Sequence, residues 1–314
     1  MRVLITGGFG YVGGRLGRLL IEQGCDEVIL GTRTQMAFPA WLPKASVRLI
    51  CWDSESSLVE NCKGIETVVH LAGMNAQECA SKPAAALAFN GVGTARLLAA
   101  AERAKVKRFI YLSTAHVYAA PLRGIIDEQT CPVSLHPYAT SHRAGEDVVR
   151  AAHRAGRIEG IVLRLSNAFG APVHANVNCW MLLLNELCRE AVSARQIILR
   201  SSGLQRRDFI PLSDACAAIS HFLHLPGANL GDGLFNVGGD WTPTVWEMAC
   251  LVQDRCSVLL GYRPELTRPE PVVGESSERL EYRWEPLRHS GYNPVFAREL
   301  ELDGLLVFCR EHFR

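Results

Sequence analysis

Two residues of this 314-residue chain have the types and spacing to move a proton together: Tyr138 and His142. Four positions apart in a stretch that reads as helical, they share one helix face and can point into one cleft. A phenol titrates near 10 and needs help to ionise near neutrality. An imidazole with a pKa near 6.5 is mostly neutral at pH 7, so His142 can bond a hydroxyl yet acidifies a neighbouring phenol only weakly. Thr114, Ser113 and His116 cluster at the end of the apolar run that begins at Arg108. Hydroxyls there can hydrogen-bond a ligand at a strand end; His116 is either a second base or a polar filler of the cleft wall.

A second constellation opens the chain. Thr6-Gly7-Gly8-Phe9-Gly10-Tyr11-Val12-Gly13 follows one apolar run and starts a helical one. Glycines at 7, 10 and 13 permit a tight turn, approach of a pyrophosphate to backbone amides, and close helix–strand packing. The helix N-terminus adds free N–H groups and a partial positive charge. The expectation is a dinucleotide site. An NAD enzyme usually carries Asp or Glu after its second strand. Here stand Gly31, Thr32 and Arg33. No carboxylate repels a 2′-phosphate and Arg33 can pair with one, so NADP(H) is favoured and NAD stays open.

The elements that must position these groups are read from periodicity. Strands are predicted at 3–6, 27–30, 47–51, 67–71, 108–113 and 160–165, alternating with helices at 13–23, 84–104 and 138–155. Continuous apolar strands alternating with helices predict a doubly wound α/β fold, a parallel Rossmann-type sheet covered on both faces. After Gly170 the rhythm breaks: helices at 180–191 and 213–225, strands at 196–200 and 234–237, then an irregular proline-bearing stretch and a last helix at 301–312. The expected organisation is a dinucleotide-binding domain over 1–170, joined by the late strand, and a mainly substrate-binding region over 171–314 that caps the carboxyl edge of the sheet.

Bulk properties exclude several classes. Lys and Arg number 33 against 32 Asp and Glu, so no global field recruits nucleic acid or an acidic membrane. No uninterrupted apolar run is long enough to span a bilayer. Eleven cysteines without Cys-x-x-Cys spacing read as cytosolic thiols rather than a disulfide framework or zinc site. His221 and His224 lie three apart on a helix but no further ligand cluster joins them, so no metal is expected. Trp241 and Trp246 read as packing residues.

The glycine spacing resembles the extended short-chain dehydrogenase/reductase superfamily, in particular its NAD-dependent epimerase/dehydratase branch, nucleotide-sugar epimerases included. Val68-Val69-His70-Leu71-Ala72-Gly73 is similar to the strand-four signature lining the cofactor groove, which implies Leu71, Ala72 and Gly73 as cofactor contacts. The resemblance likewise implies Asp53 on the adenine and Asn90 shaping the active site. Leu112 to Tyr118 and Pro137 to His142 resemble the hydroxyl and tyrosine motifs. They imply Thr114 as the catalytic hydroxyl, Ser113 beside it, Tyr138 as acid/base, and position 142 holding the nicotinamide ribose. The family has lysine at that position and this chain has His142. The segment 163–172 is similar to the family's Arg-x-x-Asn motif and 205–210 to its Arg-Asp-Phe segment, which implies Asn167 on a substrate diphosphate or sugar and Arg207 on a phosphate or nucleotide ribose; a structural Arg–Asp pair is the other reading of Arg207. Dehydratases of the family place Asp-Glu after the threonine; Ala115 and His116 stand here. The implied activity is nucleotide-sugar epimerisation by transient hydride transfer, with NADPH-dependent sugar ketoreduction as alternative, in a cytoplasmic homodimer paired through the two long helices. A non-catalytic dinucleotide sensor or scaffold is the alternative of another class.

Overall fold

A computed structural model describes residues 1–34, 40–42 and 44–313. Seven strands, β1 (Arg2–Thr6), β2 (Glu27–Thr32), β3 (Ser46–Leu49), β4 (Thr67–His70), β5 (Arg108–Thr114), β6 (Glu159–Leu165) and β7 (Leu234–Val237), form one sheet in the order β7-β6-β5-β4-β1-β2-β3. Every pairing in it is parallel. The order reverses between β1 and β4, and in such sheets ligands bind beyond the strand ends at that switch point.

The strands carry apolar residues on both faces because both faces are covered. Ile5, Val69, Ile110 and Leu163 pack with α1 (Tyr11–Glu22) and α5 (Leu212–His224). Leu4, Val68, Phe109 and Val162 face the other way onto α2 (Glu55–Cys62), α3 (Thr94–Arg103) and α4 (Pro137–Arg154). The late strand β7 joins the main sheet against β6, and α5 lies on it beside α1, so the second half of the chain contributes to both layers. A third cluster, with Leu187, Met248, Val252 and Leu305 among its members, gathers the remaining C-terminal elements.

The helix expected over 84–104 is present as one run over 83–103, with a π-helical turn, Leu87–Gly93, between Pro83–Ala86 and α3. The wide turn carries Asn90, which is where such irregularities usually serve a site. The run 83–103 is, among the described residues, the one helix apolar and long enough to cross a membrane, and half of it is buried in the fold. The stretch expected to be irregular contains α6 (Val245–Leu260), started by a capping box in which Thr244 and Glu247 exchange side-chain-to-backbone bonds. A final helix, α7 (Arg298–His312), closes the chain.

Candidate active site

The first turn is built as the glycines require. Gly7 has φ +70°, and a Cβ at Gly13 would stand 2.3 Å from the Gly7 carbonyl oxygen. Such a contact is with backbone and cannot relax cheaply. Gly10 donates its N–H to Gly7 O at 2.8 Å and occupies the N-cap of α1, where no side chain caps the helix. Amides left open in this way can bind a phosphate. They face a cleft of about 710 Å³ lined by Gly7, Gly10, Thr32, Arg33, Trp52 and Phe89 among others. Leu71, Ala72 and Gly73 line its far wall. The cradle and the uncapped helix fit a dinucleotide.

The far end of the cleft is bounded by residues other than Asp53. Asp53, expected on the adenine, has a fully exposed side chain whose nearest charged partner is Arg96 at 4.0 Å. The residue before it turns inward instead: Trp52 packs 5.2 Å from Phe89, and the Arg33 guanidinium lies 5.3 Å over the same Phe89 ring. Two aromatic faces and one cation therefore bound this end of the cleft.

The cleft continues at Tyr11, Leu71, Gly73, Asn75 and Asn178 into an inner compartment of about 450 Å³. Tyr138, Thr114, His142, His116, Asn167 and Arg207 all line it, and Val12 borders it. Tyr11 reaches across the entrance, donating its hydroxyl to Gly170 O at 2.9 Å. Tyr138 sits on the first turn of α4 and Thr114 ends β5. Protein crowding the phenol pushes it up to about 12, against which the nearby Thr114 hydroxyl favours the ionised form. The His142 ring stands edge-on to that of Tyr138 with centroids 4.5 Å apart. Burial pushes the His142 imidazole down to about 4, so it is neutral at pH 7. No ammonium takes its place beside the phenol among the described residues.

Asn90 braces this geometry. Its Oδ1 accepts from Met74 N at 2.9 Å and its amide donates to Ser141 Oγ at 3.0 Å, tying the strand-four loop to α4. The Ser113 hydroxyl donates to Glu146, which forms a buried ion pair with Arg164 at 2.6 Å. Ser113 therefore ties the end of β5 to Glu146 while bordering the compartment that holds Tyr138. Sequence reading missed this triad. Its signals were a lone arginine inside the apolar strand Glu159–Leu165 and a glutamate one turn past His142.

At the other end, Asn167 donates to Asp208 O at 2.9 Å. The Arg207 guanidinium has no hydrogen-bond or ion-pair partner among the described residues, and burial lowers its pKa. Burial, with the Arg207 charge second, takes His116 down to about 4. Among the described residues no carboxylate lines the inner compartment, whose remaining wall includes Met74, Met181 and Leu183.

A parallel sheet whose first turn bares helix amides to a cleft ending at a tyrosine hydroxyl defines a dinucleotide-dependent enzyme of the extended short-chain dehydrogenase/reductase type. The chain belongs to the NAD dependent epimerase/dehydratase family, whose sequence model matches residues 3–238. It is similar to a UDP-glucose 4-epimerase of Azospirillum brasilense, 30% identical over 305 residues, spanning 91% of this chain and 87% of the relative. It is also similar to a dTDP-glucose 4,6-dehydratase of Streptomyces niveus, 27% identical over 82% of this chain and 78% of that one. Among solved structures, a UDP-glucose 4-epimerase from Thermotoga maritima with UDP-glucose superposes with TM-score 0.82 at 21% identity over 100% of both chains. MoeE5 in complex with UDP-glucose and NAD gives TM-score 0.80 at 24% identity, again over 100% of both. At such identities the structures speak to the fold alone. Family membership makes the chain an enzyme that binds a nicotinamide dinucleotide.

Proposed function

We propose that the chain interconverts epimers of a nucleotide sugar by oxidising and re-reducing one hydroxyl-bearing ring carbon. The observation that carries this reading is the convergence of Tyr138, Thr114 and His142 on the inner compartment, which opens into the glycine-lined cleft. Bound there, the nicotinamide supplies the acceptor and later the donor of hydride. Thr114 and Tyr138 bond the reacting oxygen; Tyr138 takes its proton on oxidation and returns it on reduction. His142 bonds a ribose hydroxyl and fixes the ring's position. Asn167 and Arg207, unpartnered among the described residues, face the diphosphate, where a half-buried guanidinium makes charge-assisted, two-pronged bonds. Dehydration is disfavoured, because Ala115 and His116 follow Thr114 and no carboxylate among the described residues reaches the compartment. Arg33 and the lack of an acidic residue beside it favour NADP(H) over NAD. The region 171–314 supplies the substrate wall.

A second reading, reduction of a sugar ketone by NADPH, is favoured by one observation. The Tyr138 phenol, held at about 12, is an O–H donor throughout the physiological range. A donor suits protonation of a ketone oxygen better than removal of an alcohol proton. We further infer a cytoplasmic homodimer paired through the helices of 83–103 and 137–154, where Leu87 and Val92 are half exposed; light scattering reads its mass.

Purified protein is incubated with UDP-glucose and catalytic NAD(P)+, and the sugar products are separated. Epimer formation without net change at 340 nm supports the epimerase. Loss of NADPH absorbance with a 4-keto sugar nucleotide supports the reductase. If neither occurs and Tyr138→Phe changes no measurable property, the proposed chemistry is wrong.

A further inference from the structure

Behind His142 lies a chain of buried hydroxyls and imidazoles that the proposed chemistry does not use. Tyr111 on β5 places its hydroxyl 3.0 Å from His142 Nδ1 and 3.4 Å from the His142 carbonyl. Thr94, on α3, donates to Asn90 O at 2.5 Å. Its oxygen accepts from His70 Nε2 at 3.0 Å, and His70 Nδ1 accepts from the Thr6 hydroxyl at 2.7 Å. Of the two acceptors on His142 that the Tyr111 hydroxyl meets, Nδ1 at 3.0 Å is nearer than the carbonyl at 3.4 Å. A neutral imidazole has one N–H, and a nitrogen that accepts leaves that proton on the other. The other is Nε2, and it faces the cleft: a Cβ at Gly73, which lines both compartments, would stand 3.6 Å from it.

We propose that Tyr111 is a positioning residue whose hydroxyl holds His142 in the Nε2–H tautomer, so that the imidazole presents a hydrogen-bond donor to the cleft. The family's lysine presents a donor from any rotamer; a histidine does so only when its tautomer is fixed. Room for the device is visible in α4, where a Cβ at Gly145 would lie 2.6 Å from the Tyr111 oxygen. The inference rests on the cleft being the dinucleotide site, but the tautomer is a property of the unliganded chain and is tested separately.

The full-length protein is labelled with 15N-histidine, and long-range 1H–15N spectra are recorded without ligand. The His142 signals are those that vanish in His142→Gln. The expected pattern is a protonated Nε2 and an unprotonated Nδ1 in the wild type, giving way to mixed tautomers in Tyr111→Phe. Gly145→Ala keeps Tyr111 but crowds its hydroxyl, and should show the same change if Tyr111→Phe does not fold. NADH affinity, followed by fluorescence, should fall about fivefold in Tyr111→Phe, the worth of one ordinary hydrogen bond. In a His142→Lys background the same substitution should leave it unchanged, because the imidazole it orients is gone. A wild-type His142 protonated at Nδ1, or a spectrum unmoved by both variants, overturns the proposal while leaving the dinucleotide reading intact. Absence of NADH binding with the expected tautomer would overturn the dinucleotide reading alone.

Discussion

Replacing His142 by lysine should move the ionisation of Tyr138 by a predictable amount. The phenol stands at about 12 because protein crowds it and no cation compensates. The imidazole that occupies the cation's place is neutral, and its ring centre lies 4.5 Å from that of the phenol. An ammonium about 5 Å from the phenolate, at an effective dielectric of about 20, interacts by roughly 332/(20 × 5), or about 3 kcal/mol. That corresponds to about two pKa units. Desolvation of the new ammonium consumes part of the gain, so a shift of one to two units is expected, to about 10–11. The phenolate fraction at pH 8 then rises roughly ten- to a hundredfold, and so does any rate limited by proton removal from an alcohol. Two assays read it. Ultraviolet difference titration, each protein against its own Tyr138→Phe version, should show one tyrosinate step about one to two units earlier in the lysine variant. The pH–rate profile for alcohol oxidation should move by the same amount toward neutrality. Superimposable titrations, or equal rates from pH 6 to 9, would refute the argument that the missing ammonium governs the phenol.

Other outcomes follow from separate parts of the structure. Gly13→Ala places a Cβ 2.3 Å from a carbonyl oxygen and should abolish the thermal stabilisation by NADPH, whereas Gly10→Ala, whose nearest contact is the same oxygen at 3.0 Å, should only reduce it. Arg33→Ala should weaken NADPH binding tenfold or more and leave NADH binding within about twofold, because only the former carries the charge that Arg33 can pair; equal losses in calorimetric titrations would remove Arg33 from the specificity argument. Glu146→Leu leaves the Arg164 charge buried, and the midpoint of urea unfolding should show a loss of about 3–5 kcal/mol. His70, pushed down to about 3 chiefly by burial, binds a proton in the unfolded chain near pH 6.5 and not in the folded one. Its contribution is present above pH 6.5 and is lost as pH falls from there toward 3. His70→Gln should flatten that part of the stability–pH curve.

The parts of the site legible in the sequence are those whose chemistry is local. A pyrophosphate turn needs glycines at fixed offsets between a strand and a helix, and Gly7, Gly10 and Gly13 carry the whole requirement within seven residues. Tyr138 and His142 share a helix face by spacing alone. The parts that were not legible depend on which residue faces which across the sheet. Asp53 and Trp52 are neighbours, and one position of rotation in the loop after β3 decides that the indole rather than the carboxylate enters the cleft. Ser113 and Thr114 alternate at the end of β5. The pleat sends one hydroxyl under the helix to Glu146 and the other into the compartment. The same alternation explains Tyr111. As one more aromatic residue in an apolar strand it reads as core, and it is core: its ring is 2% exposed and packs against His70. What makes it more than core is the atom at the end of the ring, set beside the single position where this chain departs from the family's lysine. A substitution that breaks a motif is therefore best judged by what stands behind it. An imidazole backed by apolar atoms keeps only its weak intrinsic tautomer preference, whereas one whose Nδ1 accepts from a buried hydroxyl has its proton held on Nε2 before any ligand arrives.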